Sequence, residues 1–183
     1  MRILAISGSL RRDSYNTALL RAARDIAPAG VAVELYDGLA AVPAFNEDLE
    51  GDPPAAVADL RGRIAEADAL LVATPEYNGS APGALKNALD WASRPRGAGV
   101  LIAKPAAVIG ASPSSFGAQW AQEQVRRALM LSGAMVVDPE LAVPKVNERI
   151  VDGELVDGDV RAQLGAIVDA LVETTDAEQA LAA

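Results

Sequence analysis

Short runs of wholly apolar residues, each followed by a segment with helical spacing, constrain the fold of this chain more than any other feature. Four such runs cover residues 3–6, 69–73, 106–110 and 134–137, and residues 31–36 alternate apolar with polar or small residues. Strands that are apolar throughout are typical of parallel sheets covered by helices on both faces. The sequence therefore predicts an α/β fold, a doubly wound three-layer α/β/α domain with a five-stranded parallel sheet.

The segments between the strands predict five helices, at residues 15–26, 55–66, 82–92, 117–131 and 158–173. After residue 173 we expect the Ala-rich end of the chain to fray. Asp152-Gly153 separates two short apolar runs within residues 148–156, which predicts a small hairpin or an irregular arm. The chain has 183 residues and shows no repeat and no linker, so we expect a single domain over residues 1–183.

The chain contains no cysteine and no histidine, which excludes disulfides, thiolate nucleophiles, histidine-ligated metals and Ser-His-acid triads. Difficult chemistry would then be carried more naturally by a bound cofactor than by side chains. The net charge of −9 argues against nucleic acid and against an anionic membrane surface as partners. Since no run approaches the roughly 18 apolar residues of a membrane span and the first residues lack a signal-peptide core, we expect a cytoplasmic protein.

Polar loops follow the first, third and fourth predicted strands, at the sheet edge where doubly wound domains bind ligands. The first loop, residues 8–16, has a single glycine and matches neither the dinucleotide fingerprint nor a P-loop. It places hydroxyl, amide and guanidinium donors at a helix N-terminus, which suits a terminal phosphate dianion. Taken alone, the loop fits equally well an ordinary cap in which Ser14 caps the helix and the arginines are solvated.

The second loop, residues 75–83, is rich in turn formers and places Tyr77 directly after the third strand. A planar ring ligand could use this aromatic side chain and the loop amides. Taken alone, a plain strand-to-helix turn in which Tyr77 covers the end of the sheet is the better explanation.

Two motifs together carry a family resemblance that covers residues 1–143. The first is Gly8-Ser9-x-Arg11-x-x-Ser14-x-Asn16, and the second is Pro75-Glu76-Tyr77-Asn78-Gly79-Ser80-x-Pro82-Gly83-x-Leu85-Lys86-Asn87-Ala88-x-Asp90-Trp91-x-Ser93-Arg94. With them the chain resembles the NAD(P)H-dependent FMN reductases, the family that includes bacterial quinone and chromate reductases. A third segment, residues 110–119, is similar but looser, because family members often carry a glycine pair where this chain has Phe116-Gly117.

The resemblance implies a flavodoxin-like fold and an enzyme that takes hydride from NAD(P)H onto bound FMN and passes it to quinones or to similar acceptors such as chromate, azo or nitro compounds. The residues implied to hold the FMN phosphate are Ser9, Arg11, Ser14 and Asn16. Those implied to lie near the isoalloxazine ring are Pro75, Glu76, Tyr77 and Asn78, with Ser112 and Ser115 as further candidates. No catalytic side chain and no metal are expected, because the flavin supplies the redox chemistry.

The family's members are commonly dimers or tetramers, so the resemblance also implies a homodimer or homotetramer. Lys86, Asp90 and Arg94 share one helical face, which fits either a solvated ion-pair ladder or a subunit interface. Trp91 is either a core residue or an interface anchor.

Two other functions stay open at this point: an FMN-binding electron-transfer protein without nicotinamide turnover, and a flavin-free binding module that kept the fold. No motif for the adenosine ribose distinguishes NADH from NADPH.

Overall fold

The computed structural model describes residues 1–182, which contain eight strands and five α-helices. The strands are β1 (Arg2–Ser7), β2 (Ala32–Tyr36), β3 (Ala69–Thr74), β4 (Pro105–Ala111), β5 (Met135–Val136), β6 (Leu141–Val143), β7 (Ile150–Val151) and β8 (Glu154–Leu155). The helices are α1 (Tyr15–Ile26), α2 (Ala55–Glu66), α3 (Gly83–Ala92), α4 (Gln119–Leu131) and α5 (Gly158–Ala182). Within residues 1–182, none of the helices combines the length and the apolar character that a membrane crossing requires.

The main sheet is parallel, with the strand order β2-β1-β3-β4-β5, and β6 also pairs with β4. Helices α1 and α5 pack on one face of this sheet, and α2, α3 and α4 pack on the other. This arrangement confirms the predicted three-layer α/β/α fold, and its strand order is that of flavodoxin-like domains.

Burial on both faces explains why the central strands have no polar side. Successive side chains of a strand point to opposite faces, so Ile3 and Ala5 of β1 pack toward α1 and α5, whereas Leu4 and Ile6 pack toward the other three helices. All residues of β3 and of β4 are buried. The continuous apolar runs in the sequence are the direct result of this double burial.

The fifth strand differs from the prediction of one strand at residues 134–137. Only Met135–Val136 forms β5, and it pairs with the start of β4 at Pro105 and Ala106. The edge is continued by β6, which pairs with the end of β4. Pro139 lies between the two pieces and has no N–H group, so it cannot continue the ladder of hydrogen bonds.

The segment at residues 148–156 forms the hairpin rather than an irregular arm, with β7 antiparallel to β8. Asp152 and Gly153 both have positive φ angles, as a tight two-residue hairpin turn requires. The base of the hairpin is tied to α5 because Asp157 pairs with Arg149 and accepts a hydrogen bond of 2.9 Å from the backbone N–H of Val160. That backbone hydrogen bond holds the pKa of Asp157 below its ordinary value.

The end of the chain also differs from expectation, since α5 continues to Ala182 instead of fraying after residue 173. The added turns consist largely of alanine, glutamate, glutamine and leucine, which have high helix propensity. The Thr175 hydroxyl, buried in this extension, donates to the carbonyl of Leu171 at 2.8 Å.

Trp91, which the sequence left as core or interface anchor, is a core residue with 0% of its surface exposed. Its indole N–H donates to the carbonyl of Pro43 at 2.9 Å, and its ring meets the ring of Phe45 edge-on, with the centroids 4.9 Å apart. It therefore anchors the long connection after β2 to α3 and gives no support to a subunit interface.

Replacing Trp91 with alanine should lower the free energy of unfolding by about 3–5 kcal/mol, because the buried ring leaves a cavity and Pro43 loses a donor. Urea unfolding followed by circular dichroism measures the change. Lys86→Ala on the same helix is the control: its ion pair with Asp90 is exposed, so we expect a change within about 0.5 kcal/mol. Equal unfolding midpoints for the two variants would contradict the assignment of Trp91 to the core.

Candidate functional site

A cavity of about 240 Å³ lies at the carboxyl edge of the sheet, and we refer to it as the edge cavity. It is lined by Ser9, Arg11, Ser14, Tyr15, Asn16, Pro75, Glu76, Tyr77, Ala111, Ser112 and Pro113. These residues come from the loops after β1, β3 and β4, from the first turn of α1 and from the last residue of β4. Strands β1 and β3 are neighbours whose following helices lie on opposite faces of the sheet, so the edge cavity opens at the topological switch point, where such sheets bind ligands.

Eight of the ten residues named from the sequence line this cavity, and two do not. Asn78 and Ser115 are exposed and lie outside its walls. Tyr15, Ala111 and Pro113 line it without having been named. Tyr15 carried a usable signal, since it is an aromatic residue within the donor-rich first loop.

The first loop is held against β3 by Gly8. Its N–H donates to the carbonyl of Ala73 at 2.8 Å. A side chain at this position would start 2.9 Å from Cδ2 of Leu85 and 3.3 Å from Cδ of Pro75. A larger residue would force Leu85 or Pro75 to shift, so glycine favours the close approach of the first loop to the second.

Ser14 caps α1, as one of the two interpretations of the first loop required. Its Oγ accepts a hydrogen bond of 3.2 Å from the N–H of Thr17. The Thr17 hydroxyl in turn donates to Oγ of Ser7 at 2.9 Å, and Ser7 Oγ also accepts from the N–H of Ser9. A single cap satisfies one of the N–H groups in the first turn, so the N-terminus of α1 keeps further donors for an anion.

Arg11 carries the positive charge of the edge cavity. Its guanidinium lies 5.2 Å from the centroid of the Tyr15 ring. Across residues 1–182 it forms no ion pair with a carboxylate. Its planar set of donors is therefore available to a phosphate group, which arginine binds in a bidentate manner.

Asn16 joins the first loop to the end of β4. Its Nδ2 donates to the carbonyl of Ala111 at 3.1 Å, and its Oδ1 accepts from the N–H of Ala111 at 3.0 Å. The side chain is 3% exposed. Most of its hydrogen-bonding capacity thus serves the shape of the cavity, and one amide N–H remains for a ligand.

The second loop folds as a tight two-residue turn. Tyr77 and Ser80 exchange backbone hydrogen bonds of 3.0 and 3.1 Å, and Asn78 and Gly79 between them have φ angles of 54° and 72°. Asn-Gly is the favoured pair for a turn in which both central residues need positive φ. The turn places Asn78 at its tip, which explains why this residue lies outside the cavity, whereas Tyr77 lies on the cavity wall with 52% of its surface exposed.

Gln124 of α4 holds this turn and was missed by the sequence analysis. Its Oε1 accepts from the Ser80 hydroxyl at 2.7 Å and from the N–H of Ala81 at 3.2 Å, and its Nε2 donates to the carbonyl of Gly79 at 3.2 Å. The contact joins residues more than 40 positions apart, and no local pattern marks it. The turn is consequently clamped to α4 along its whole outer side.

Glu76 is a second link between this loop and α4. Its Oε2 accepts from the N–H of Ala121 at 3.2 Å, in the first turn of α4. A carboxylate at this place satisfies an unpaired donor and interacts favourably with the helix dipole. The charged end of Glu76 therefore positions the loop.

The third loop is tied to β6 and turns sharply at Gly117. The N–H of Ser112 donates to the carbonyl of Val143 at 3.1 Å, and a side chain on Gly117 would start 2.7 Å from the Val143 nitrogen. Gly117 and Ala118 both have positive φ angles, so Ala118 adopts a conformation that favours glycine. Ser112 and Ser114 hydrogen-bond to each other at 3.1 Å, and Ser115 lies beyond this turn.

Comparisons with known proteins identify the family of the chain. The family model of the NADPH-dependent FMN reductases matches residues 1–148. A 2-hydroxy-1,4-benzoquinone reductase from a Burkholderia species is 39% identical over 171 residues, covering 92% of this chain and 93% of the relative. An NAD(P)H-dependent FMN reductase from Pseudomonas aeruginosa is 42% identical over 175 residues, covering 93% of both chains.

Solved structures extend the comparison to the fold. A flavoenzyme NAD(P)H:(acceptor) oxidoreductase from Paracoccus denitrificans superimposes with a TM-score of 0.87 at 36% identity, over 97% of this chain and 98% of the other. A flavodoxin from Pseudomonas aeruginosa, at 22% identity and a TM-score of 0.56 over 94% of this chain and 99% of the other, shares the fold. With a family model matched over most of its length and relatives at this identity, the chain belongs to the NADPH-dependent FMN reductase family.

Proposed function

We propose that residues 1–183 form one FMN-binding domain in which the edge cavity holds the cofactor, and that the enzyme uses NAD(P)H to reduce quinones or similar acceptors such as chromate, azo or nitro compounds. The observation that carries the proposal is the meeting of unpaired donors at the N-terminus of α1 with the half-exposed ring of Tyr77, in one cavity at the switch point. Family membership supports the same activity.

The phosphate of FMN fits the donor set of the first loop. Ser9 and Ser14 supply hydroxyls, Arg11 supplies a guanidinium without a carboxylate partner, and the first turn of α1 supplies backbone N–H groups. Asn16 contributes one remaining amide N–H and keeps the loop attached to β4. Such a set surrounds a single dianionic centre, as a phosphomonoester requires.

The ring of FMN fits the other side of the cavity. The candidates for contact with it are Pro75, Glu76, Tyr77, Asn78, Ser112 and Ser115. Pro75, Tyr77 and Ser112 are supported by their position on the wall. Glu76 acts by holding the loop to α4. Asn78 and Ser115 lie outside the wall, and their contacts with the ring stay predictions.

FMN, when bound, supplies the hydride chemistry, which suits a chain without histidine or cysteine. The residues around it bind, orient and exclude water. Gln124 and Glu76 hold the second loop in one conformation, so that its backbone groups face a fixed point. No side chain has to move a proton, and we propose no catalytic residue.

We also propose a homodimer or homotetramer that works in the cytoplasm, where nicotinamide nucleotides serve as reductants. Trp91 gives no support to the oligomer, but an exposed apolar patch away from the edge cavity does. Leu131 and Ile102 are apolar residues with 79% and 46% of their surface exposed. Both line a cavity of about 590 Å³, and Arg94 and Arg96 line the same cavity. Exposed apolar patches rimmed by charge are typical of protein interfaces.

Arg11→Ala should weaken FMN binding by about 1.5–3 kcal/mol, because the dianion loses a charge-assisted hydrogen bond. Titration of the apoprotein with FMN, followed by flavin fluorescence, measures the loss. Arg127→Ala removes an exposed arginine on α4 and should leave the affinity unchanged. An unaltered FMN affinity in Arg11→Ala, or tighter binding of FAD than of FMN, would contradict the phosphate assignment.

Initial rates at several NAD(P)H and quinone concentrations should give parallel lines, because one small crevice receives the nicotinamide and the acceptor in turn. Tyr77→Ala should raise KM for ring acceptors through the loss of about 0.5–1.5 kcal/mol of ring contact, with a smaller effect on kcat. Intersecting lines would instead require both substrates to bind together. Failure to oxidise NAD(P)H at all would favour an electron-transfer protein or a flavin-free module.

Light scattering at micromolar concentration should return two or four times the monomer mass. Leu131→Glu should lower that mass, because it places a charge in the apolar patch, while circular dichroism stays unchanged. The exposed Leu10, at the other end of the molecule, gives the matched control Leu10→Glu. A monomer mass for the unmodified protein would contradict the proposed oligomer.

A further inference from the structure

The exposed aromatic residues of this chain are concentrated at the edge cavity. The chain contains two phenylalanines, two tryptophans and three tyrosines. Three of them, Tyr77, Phe116 and Trp120, have 52%, 53% and 45% of their surface exposed, and the others are buried or partly buried. Tyr77 lies on the wall of the edge cavity. Large apolar side chains are more stable away from water, so a group of them left exposed beside a crevice indicates a binding surface.

Phe116 and Trp120 form one continuous surface, which we call the aromatic pair. Their ring centroids lie 4.7 Å apart, and the ring planes are inclined by 36°. The contact covers part of each ring, and about half of each residue still faces solvent. The aromatic pair therefore offers open aromatic surface on which a further ring can stack.

The backbone after Phe116 turns sharply and holds its ring against α4. Gly117 and Ala118 have φ angles of 59° and 64°, a conformation that alanine adopts only at a cost in free energy. The N–H of Gln119 donates to the carbonyl of Phe116 at 3.1 Å. Gln122, which is buried, donates from Nε2 to the carbonyl of Gly117 at 3.1 Å. Strained backbone that its surroundings hold in place is typical of functional sites.

Hydrogen bonds connect the aromatic pair at both ends to the wall of the edge cavity. The N–H of Phe116 donates to Oγ of Ser114 at 3.3 Å, and the hydroxyl of Ser112, a wall residue, donates to the same Oγ at 3.1 Å. At the other end, the residue after the tryptophan, Ala121, donates from its N–H to Oε2 of Glu76, also a wall residue, at 3.2 Å. The aromatic pair thus lies beside the crevice, outside its walls.

The edge cavity is too small to hold both FMN and an acceptor. Its volume of about 240 Å³ lies below the range of about 300–1,000 Å³ that is typical of small-molecule sites. Once FMN occupies it, part of the surface that contacts an acceptor must come from outside the cavity walls. The aromatic pair is an exposed apolar surface at that place.

We propose that the aromatic pair contacts the acceptor beyond the flavin and makes the enzyme selective for acceptors with two or more fused rings. The inference rests on the proposed function and names the acceptor class within it. The ring of a small quinone lies beside Tyr77 and leaves the pair free, whereas a second fused ring extends onto the pair. An oxyanion such as chromate gains no contact there, because the face of an aromatic ring carries partial negative charge.

The test compares Phe116→Ala and Trp120→Ala with the unmodified protein, all loaded with FMN, using 1,4-naphthoquinone, 1,4-benzoquinone and ferricyanide as acceptors. Either variant should lower kcat/KM for naphthoquinone about three- to tenfold, mainly through KM, because the second ring loses its stacking partner. The values for benzoquinone and ferricyanide should change less than twofold. Each acceptor is compared only with itself, so differences in intrinsic reactivity cancel.

Two further variants serve as controls. Trp120→Phe keeps an aromatic ring at this position and should restore most of the naphthoquinone activity. Met130→Ala shortens an apolar residue on the same helix that is 54% exposed, and it should leave all three acceptors unchanged. If Trp120→Ala does not fold, Phe116→Ala decides the test, since it shortens an exposed loop residue.

A second measurement does not depend on turnover. Calorimetric titration of the oxidised, FMN-loaded protein with 2-naphthol, a two-ring probe, should show about three- to tenfold weaker binding in Trp120→Ala, whereas phenol binding stays the same. Equal loss for both quinones, or the same loss in Met130→Ala, overturns the proposal. Weaker FMN binding in either alanine variant would place the pair against the flavin, and a lower mass in light scattering would place it against a second copy of the chain. Both results also overturn the proposal.

The outcome separates this inference from the proposed function. A protein that oxidises NAD(P)H with none of the three acceptors contradicts the reductase activity, whereas the titration with 2-naphthol still decides whether the aromatic pair binds rings. A protein that reduces the quinones, but whose alanine variants show no selective loss for naphthoquinone, keeps the proposed function and contradicts the inference.

Discussion

The paired hydrogen bonds between the Asn16 amide and the backbone of Ala111 are the constraint on which the edge cavity depends. They join the loop after β1 to the end of β4, across 95 positions of sequence, and they are buried. Each such bond contributes about 0.5–1.5 kcal/mol, but leaving a buried partner unsatisfied costs about 1–3 kcal/mol, so the arrangement is held mainly by the penalty for breaking it. The bond from Gly8 to Ala73 makes the corresponding link to β3, and together these contacts fix where the three loops meet.

Where the three loops meet, the local charge differs in sign from the net charge of the protein. The chain carries a net charge of −9, yet the edge cavity presents Arg11, which forms no ion pair within residues 1–182, next to the N-terminus of α1. A guanidinium beside a helix N-terminus attracts an anionic group locally, whereas the net negative charge of the protein makes the rest of the surface unattractive to anions. This contrast suits phosphorylated cofactors better than it suits polyanions such as nucleic acids, whose binding needs a wide basic surface.

Much of this could be predicted from the sequence, and most of the exceptions arise from contacts between distant parts of the chain. The strands and helices were predictable because burial of the sheet on both faces produces apolar runs, and the first loop was predictable because its donors lie close together in the sequence. Pro139 interrupts the fifth strand, and its effect was visible in the sequence but was not used. Gln124 and the role of Glu76 could not be predicted, because they arise from contacts between α4 and a loop more than 40 positions away.

The positions of the two tryptophans give the molecule two independent optical reporters. Trp91 is enclosed in the core, whereas Trp120 is 45% exposed, stacks on Phe116 with ring centroids 4.7 Å apart, and precedes the residue that Glu76 caps. The fluorescence of Trp91 changes when the core unfolds. The fluorescence of Trp120 responds to solvent and to quenchers near the crevice. Since the chain has no other tryptophan, iodide quenching separates the two signals and reports on the crevice without any label.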